Sequence, residues 1–481
     1  MYEVVIGLEV HCELDTKSKN FSSARNEYTH IPNINVAPVD LGLPGILPVV
    51  NEEACRKALK TAMALHCTTP DEVIFDRKNY FYADLPKGYQ ITQMTKPMGR
   101  NGYLDIMVDG KKKRILIHQL HLEEDTASLD HYNTYSLINY NRSGIPLMEI
   151  VTEPCISSAE EAVTFLEDLR DVFLFCGVSE AKSDKGQMRC DVNISLKKKD
   201  ETKLGTKVEM KNINAFNSVK AAILYEIKRQ SALLDEGKEV VQETRRIDED
   251  GKTYSMREKV DAIDYKYYVE PNIPPVKLTD AYKEELEKSI PMLKLDRFEK
   301  YVKEYHLSEY DAQVLSKNRD IADYFEEVLS YGSDIELAVN FVTTSVLSSL
   351  NKLEIGLDEF FITPKMLSGI IDYVHKGKIS LDHGKKIMYQ AIEKKKDPVE
   401  IIEESSLSQI DDDQVLLDYI KAVFLENPEQ LRQYLEEDNQ YVVNFFMGKV
   451  MQKSNRQANP NRTLDLIKQQ LEERKKEYEG K

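Results

Sequence analysis

The sequence predicts an α+β protein: a mixed α/β N-terminal domain, then an all-α domain and a helical tail. Three observations carry this. Segments with strand-like alternation, at residues 4–14, 114–124, 188–195 and 207–213, all lie in the first part of the chain. Helical patterns separate them. After Pro291 the sequence turns charged and helix-forming.

Taken in order, residues 4–14 alternate apolar and polar side chains as a half-buried strand does. Ser157-Ser158-Ala159-Glu160 has the form of a capping box. Ala162, Phe165, Leu166, Leu169, Val172, Phe173 and Cys176 then follow helical spacing, and Gly177 suits the stop. Glu270-Pro271-Asn272-Ile273-Pro274-Pro275 can continue neither a helix nor a central strand. Residues 308–315 and 335–350 carry a cap or helical spacing. These signals place domains at 1–290, 291–405 and 406–481, with no internal repeat.

A composition of 41% hydrophobic and 31% charged residues fits a globular rather than a disordered chain. No apolar run reaches the length of a membrane span, and the start lacks the basic n-region of a signal peptide, so a cytoplasmic location is expected. The net charge of -17 gives no general attraction to phosphate backbones, so any nucleic-acid contact must be local. The six cysteines are widely spaced with no C-x-x-C pair, which favours reduced thiols over disulfides or a zinc site.

Candidate chemistry lies on the polar faces of the strands. Glu9, His11 and Glu13 share one face of the first strand, opposite Leu8, Val10, Cys12 and Leu14. Arg189, Asp191, Asn193 and Ser195 share a face, as do Lys207, Glu209 and Lys211. Alternation in residues 116–124 gives way to Glu123-Glu124-Asp125. Glu149 is a lone carboxylate in the apolar run Pro146-Leu147-Met148-Glu149-Ile150-Val151 and needs a metal or a partner such as Arg142. Carboxylates with an occasional histidine suit magnesium, which keeps waters and bridges nucleotide phosphates. Neighbouring lysines and arginines would offset phosphate charge. No P-loop and no kinase glycine loop with a catalytic H-R-D is present.

From Val5-Ile6-Gly7-Leu8-Glu9-Val10-His11 onward the sequence resembles the B subunit of the bacterial glutamyl-tRNA(Gln)/aspartyl-tRNA(Asn) amidotransferase. Further blocks agree, among them Leu41-Gly42-Leu43-Pro44-Gly45-Ile46-Leu47-Pro48, Asp76-Arg77-Lys78-Asn79-Tyr80-Phe81-Tyr82, His121-Leu122-Glu123-Glu124-Asp125, Gln242-Glu243-Thr244-Arg245-Arg246 and Gly448-Lys449-Val450-Met451. The resemblance implies a cradle-shaped kinase domain that uses ATP and Mg²⁺ to phosphorylate the side-chain carboxylate of Glu or Asp esterified to tRNA. A partner amidase, the A subunit, supplies ammonia, and a small C subunit completes a heterotrimer. It maps the magnesium site onto His11, Glu124 and Glu149, with Glu9 nearby, and implies catalytic roles for Lys78, Glu124 and Glu9. Arg189, Asp191, Asn193, Glu209 and Lys211 are the candidates for nucleotide contacts.

The resemblance also exposes departures. Many relatives carry cysteine pairs that bind zinc near the N-terminus; the matching positions here are Ser22, Ala24, Ala37 and Asp40, so no zinc is expected. Lys266 stands where the family has arginine, and Asn272 where it has aspartate. In the tail, Lys449, Lys453, Arg456, Arg462 and Lys468 face one acid, Asp465, so this stretch is expected to contact tRNA. Two other readings compete: a non-catalytic tRNA-binding scaffold of the same complex, and a free-standing ligase with its own ammonia source. The second is disfavoured by the lack of a Ser-Ser-Lys amidase signature.

Overall fold

Strand β1 (Tyr2–Glu13) is buried at every second position from Ile6, as its alternation requires. Leu8, Val10 and Cys12 enter a core shared with Ala58, Phe165, Leu166 and Ala222. The computed structural model describes residues 2–199, 201–248, 250–258, 264–404, 410–437, 441–455 and 457–479. The chain divides into two compact units, Met1–Asp296 and Arg297–Lys481.

The first unit is built on an eight-stranded sheet. Its other strands are β2 (Gly99–Val108), β3 (Lys111–Glu124), β4 (Pro146–Thr152), β5 (Met188–Lys198), β6 (Val208–Ile213), β7 (Glu243–Ile247) and β8 (Thr253–Glu258). The order is β8-β7-β6-β5-β1-β4-β3-β2. Only the β6–β7 pair is parallel. Helices α1 (Glu52–Ala64), α2 (Ala159–Cys176) and α3 (Phe216–Asp235) pack into the same core as the apolar face of β1. The other face of β1 therefore holds Glu9, His11 and Glu13.

A bulge in β3 matters for the site. The register between β3 and β4 shifts between Ile117 and Gln119. Before it Ile115 and Ile117 are buried; after it Leu120 and Leu122 are. One extra residue thus reverses which parity faces the core. Beyond the bulge Glu124 falls on the apolar side, and His121 and Glu123 on the polar side.

Helix α2 starts one residue later than the expected capping box implies. Ser158 is the cap and accepts from the Glu161 N–H at 3.1 Å, while the Glu161 carboxylate accepts from the Ser157 N–H at 2.7 Å. The reciprocal pair is therefore made by Glu161 rather than Glu160, which faces Lys220. Gly177 ends the helix at φ 64, where a Cβ is disfavoured.

A smaller antiparallel sheet sets Asp76–Asn79 between Tyr89–Thr92 and Tyr268–Val269. Arg77 grips Glu270 through two N–H donors, one at 2.9 Å. Asn272 donates to the same carboxylate through its backbone N–H at 3.0 Å and its side-chain amide at 2.9 Å. An aspartate there could not supply the amide donor. Lys266 pairs with Asp264 at 2.6 Å and is otherwise exposed.

The second unit is helical. One continuous helix runs through Ile335–Asn340, a π-helical stretch Phe341–Val346, and Leu347–Leu353. Thr343 and Thr344 hydroxyls donate to the carbonyls of Val339 and Asn340, the local competition that loosens a helical ladder. Phe325, Phe341, Ile370 and Ile387 belong to one hydrophobic core and Phe424, Phe446 and Ile467 to another. The expected boundary at 405/406 lies outside the described residues. Among the described residues, no helix is long and apolar enough to cross a membrane.

Candidate functional site

Register brings the polar faces together. His11 of β1 sits opposite Glu149 of β4, and Glu149 sits opposite His121 of β3. Both imidazoles approach one oxygen of Glu149, with His11 Nε2 at 3.4 Å and His121 Nε2 at 3.1 Å. Glu9 is 3.7 Å from His11, and Glu123 is 3.5 Å from His121. The partner expected for Glu149, Arg142, bonds Asp125 instead. Register explains this: Glu149 has a histidine on each neighbouring strand.

Glu9, His11, Glu123 and Glu149 line one groove of about 600 Å³ that also includes Glu13, Lys78, Tyr80, Asp125, Arg142, Arg189, Asp191 and Lys211, with His121 buried behind Glu149 and Glu123. Lys78 comes from the small sheet. Burial draws its pKa down, but the charges of Glu123 and Glu149 more than reverse this and keep the ammonium charged. Burial likewise opposes charge on His121, yet Glu149 and Glu123 lift its pKa to about 10. Glu149 is buried too, and the two imidazoles hold it well below the usual carboxylate range. Glu9 moves the other way, raised to about 7 by burial and by repulsion from Glu149.

The cationic side of the groove centres on Asp125. It accepts from Arg142 twice at 2.8 Å and from Arg189 at 3.0 and 3.2 Å. Burial works against its charge, but the two guanidinium groups outweigh that and hold it below the usual range. Two cations share this carboxylate, and both also act on Glu13, which lines the same groove. Lys211 binds Asp191 at 2.9 Å and Glu209 at 3.4 Å.

Several candidates are not brought to the groove. Glu124 points into the packed side of β3, where Lys87 donates to it at 2.5 Å and the Ile91 N–H at 2.9 Å. It does not join His11 and Glu149; Glu123 and His121 occupy that face. The signal was present in the sequence, since Leu120, Leu122 and Glu124 share one parity and His121 and Glu123 the other. Glu209 accepts from Thr244 at 3.0 Å and steadies Lys211 from behind. Asn193 lies further along β5, outside the groove lining. In the tail, Lys449 is exposed beside Phe445, while Lys453 pairs with Glu426 and Arg462 with Asp413. Arg456 lies outside the described residues.

The donor set fits a hard divalent cation. One ligand atom each from Glu9, His11 and Glu149 lies within 4.8 Å of the others, and the same holds for His121, Glu123 and Glu149. The Nδ1 atoms of both histidines are buried with no hydrogen-bond partner among the described residues. The positions matching the relatives' zinc site do not fit zinc. Ala24 and Ala37 offer no side-chain ligand. Asp40 accepts through one oxygen from Lys19 at 3.3 Å, Ser22 at 3.1 Å and the Ala37 N–H at 2.8 Å. A buried ion pair, Lys19 with Asp40, ties this segment together instead.

Comparison with known proteins identifies the family. A family model described as GatB/GatE catalytic domain matches residues 4–284, and one described as GatB domain matches residues 323–471. The B subunit of the aspartyl/glutamyl-tRNA(Asn/Gln) amidotransferase of Persephonella marina is 44% identical over 98% of this chain and 99% of its own. The protein of the same name from Staphylococcus carnosus is 43% identical over 98% of this chain and 100% of its own. With the first family model covering the whole groove and this identity sustained end to end, the chain belongs to the family of aspartyl/glutamyl-tRNA(Asn/Gln) amidotransferase B subunits.

Proposed function

We propose that this chain is the activating subunit of a tRNA-dependent amidotransferase, and that the open face of its sheet phosphorylates the side-chain carboxylate of Glu-tRNA(Gln), Asp-tRNA(Asn) or both. The observation that carries the reading is the convergence of Glu9, His11, Glu123 and Glu149 with Lys78 on one groove, with His121 clustered against Glu123 and Glu149. A carboxylate cannot be amidated directly, because oxide is a poor leaving group. In the proposed step a carboxylate oxygen attacks the terminal phosphorus of ATP and ADP leaves. Ammonia then attacks the acyl carbon, phosphate departs, and a proton is lost to give the amide.

Glu9, His11 and Glu149, with Glu123 and His121 beside them, would hold Mg²⁺. When bound, that ion neutralises phosphoryl charge. Lys78, Arg189 and Lys211 offset the remaining negative charge. Asp191 and Glu209 hold Lys211 in place. Glu124 acts at one remove, tying the small sheet that carries Lys78 to β3 through Lys87 and Ile91.

The buried cysteines do not offer an ammonia-releasing nucleophile. Burial pushes the thiols of Cys12, Cys55 and Cys67 up to about 12 and raises Cys190 well above its ordinary value, the reverse of an activated nucleophile. In this reading a separate amidase A subunit supplies the ammonia, a small C subunit completes a cytoplasmic heterotrimer, and this chain carries no structural zinc. The tRNA would be held partly by Lys449, Lys453, Arg456 and Arg462 of the tail. The test is ADP formation by the assembled enzyme, with and without mischarged tRNA. ADP formed only with tRNA supports activation. Amidation without ADP formation would leave the scaffold reading.

A further inference from the structure

Lys78 is flanked by aromatic rings that the phosphoryl chemistry does not use. Its ammonium lies 5.1 Å from the Tyr265 ring and 5.9 Å from the Tyr80 ring. Tyr80 and Tyr265 meet edge to face at 5.9 Å, and Tyr265 and Tyr267 at 6.0 Å. The Asn79 N–H donates to the Tyr265 carbonyl at 2.9 Å, and the Asn79 side chain to the Lys266 carbonyl at 2.7 Å, which pins the two segments together. Next in sequence, Phe81 is 95% exposed and Tyr82 56%; Tyr267 and Tyr268 are 39% and 47% exposed. A phenylalanine left almost wholly in water beside the groove has no role in packing the fold.

We propose that these rings, Tyr80, Phe81, Tyr265 and Tyr267, form a stacking platform for an adenine base, and that the base is the 3′-terminal adenosine of the aminoacyl-tRNA. The inference rests on the reading of the groove given above and adds to it the place of the acceptor end. Covalent dimensions carry the first step. The carboxylate to be activated is joined through its own amino acid and one ester to the terminal ribose, so the base lies roughly 10 Å from it. A carboxylate placed near Lys78 therefore has its base within reach of the aromatic segments that flank this lysine.

ATP also carries adenine, and the sheet order separates the two. Arg189 on β5 and Lys211 on β6 lie on one side of β1, while Glu149, His121 and Glu123 lie on the other side, toward Lys78 and the small sheet. Arg189 and Lys211, held in place by Asp125, Asp191 and Glu209, give that side two cationic heads for a triphosphate. The side with one lysine and several rings suits an uncharged base held by stacking, with Lys78 adding cation–π attraction to the platform itself.

The experiment uses the enzyme assembled with its partner subunits and carrying Phe81→Leu, Tyr265→Leu or Tyr265→Phe. KM is measured for aminoacyl-tRNA and for ATP. Affinity is also measured for uncharged tRNA and for the same tRNA shortened by its terminal adenosine. Loss of a ring should raise KM for aminoacyl-tRNA about 5- to 100-fold, the range for one missing stacking partner, with KM for ATP unchanged. Tyr265→Phe should restore wild-type behaviour, and the Leu variants should no longer distinguish intact from shortened tRNA. A fall in kcat alone would mean that Tyr265 acts only by positioning Lys78, and the platform would be wrong. A rise in KM for ATP alone would assign the rings to the nucleotide, and unchanged constants would leave them without a ligand; either result overturns the proposal. Phe81→Leu alters a solvent-exposed side chain, so it keeps the test open if Tyr265→Leu does not fold. Because the binding measurement needs no turnover, failure of the platform is distinguishable from failure of the activating role.

Discussion

Replacing Asp40 tests whether a buried ion pair, rather than a metal, holds the N-terminal lobe together. Lys19 and Asp40 side chains are 0% and 3% exposed, and one Asp40 oxygen collects Lys19, Ser22 and the Ala37 N–H. In Asp40→Ala the ammonium keeps, among the described residues, only the Tyr140 carbonyl at 3.2 Å. Breaking a buried pair by removing one partner costs about 3–5 kcal/mol. If the segment opens locally, this corresponds to roughly a thousandfold faster hydrogen exchange at its protected amides. The reporters are the N–H groups of Lys19, Asn20, Asp40 and Gly42, which donate to Ala24, Gly144, Ala37 and Val39. Lys19→Met combined with Asp40→Asn removes both charges and keeps an acceptor for Ala37. It should recover most of the protection, since a buried pair replaced as a unit costs little. Chelator-washed wild type should exchange like untreated protein and contain no stoichiometric zinc by elemental analysis. Unchanged exchange in Asp40→Ala, or a chelator effect as large as the substitution, would refute the reasoning.

Glu123→Gln and His121→Ala should each lower tRNA-dependent ATP hydrolysis by the assembled enzyme about 10²–10³-fold, as removing one preorganised interaction does; near-normal rates would remove both from the centre. Glu226 is buried, which opposes its charge, but Arg229 and Thr253 outweigh this and lower its pKa. Its contribution is therefore present in full above the ordinary 4.5 and lost as pH falls through the folded value. Denaturation midpoints of Glu226→Gln should accordingly lie below wild type at neutral pH and converge with it in acid, and a constant gap would contradict the assignment. Lys449→Ala with Lys453→Ala should reduce the log–log salt slope of tRNA binding by roughly 0.7–0.9 for each phosphate no longer neutralised. Lys453 should contribute the smaller part, because Glu426 already pairs with it; a slope identical to wild type would move recognition away from this helix.

Sequence alone determined the local facts of this protein. Period-two alternation placed Glu9, His11 and Glu13 opposite the core face of β1, because side-chain direction along a strand is set within the strand itself. Gly177 marked the end of α2 because its backbone conformation is a local requirement. The side that Glu124 takes was not such a local fact: the resemblance pointed to it as a metal ligand, and the bulge between Ile117 and Gln119 sets the parity that turns it to the packed side. Only the tertiary structure decided which faces meet. Glu149 lies between two histidines because β1 and β3 flank β4 in one register, and pairing between strands far apart in sequence is written in no single strand. Lys78 reaches the carboxylates from a separate sheet, and Asp125 takes two arginines from different segments. A buried charge takes whichever opposite charge the packed chain brings within reach, so its partner is settled only when the whole unit is assembled.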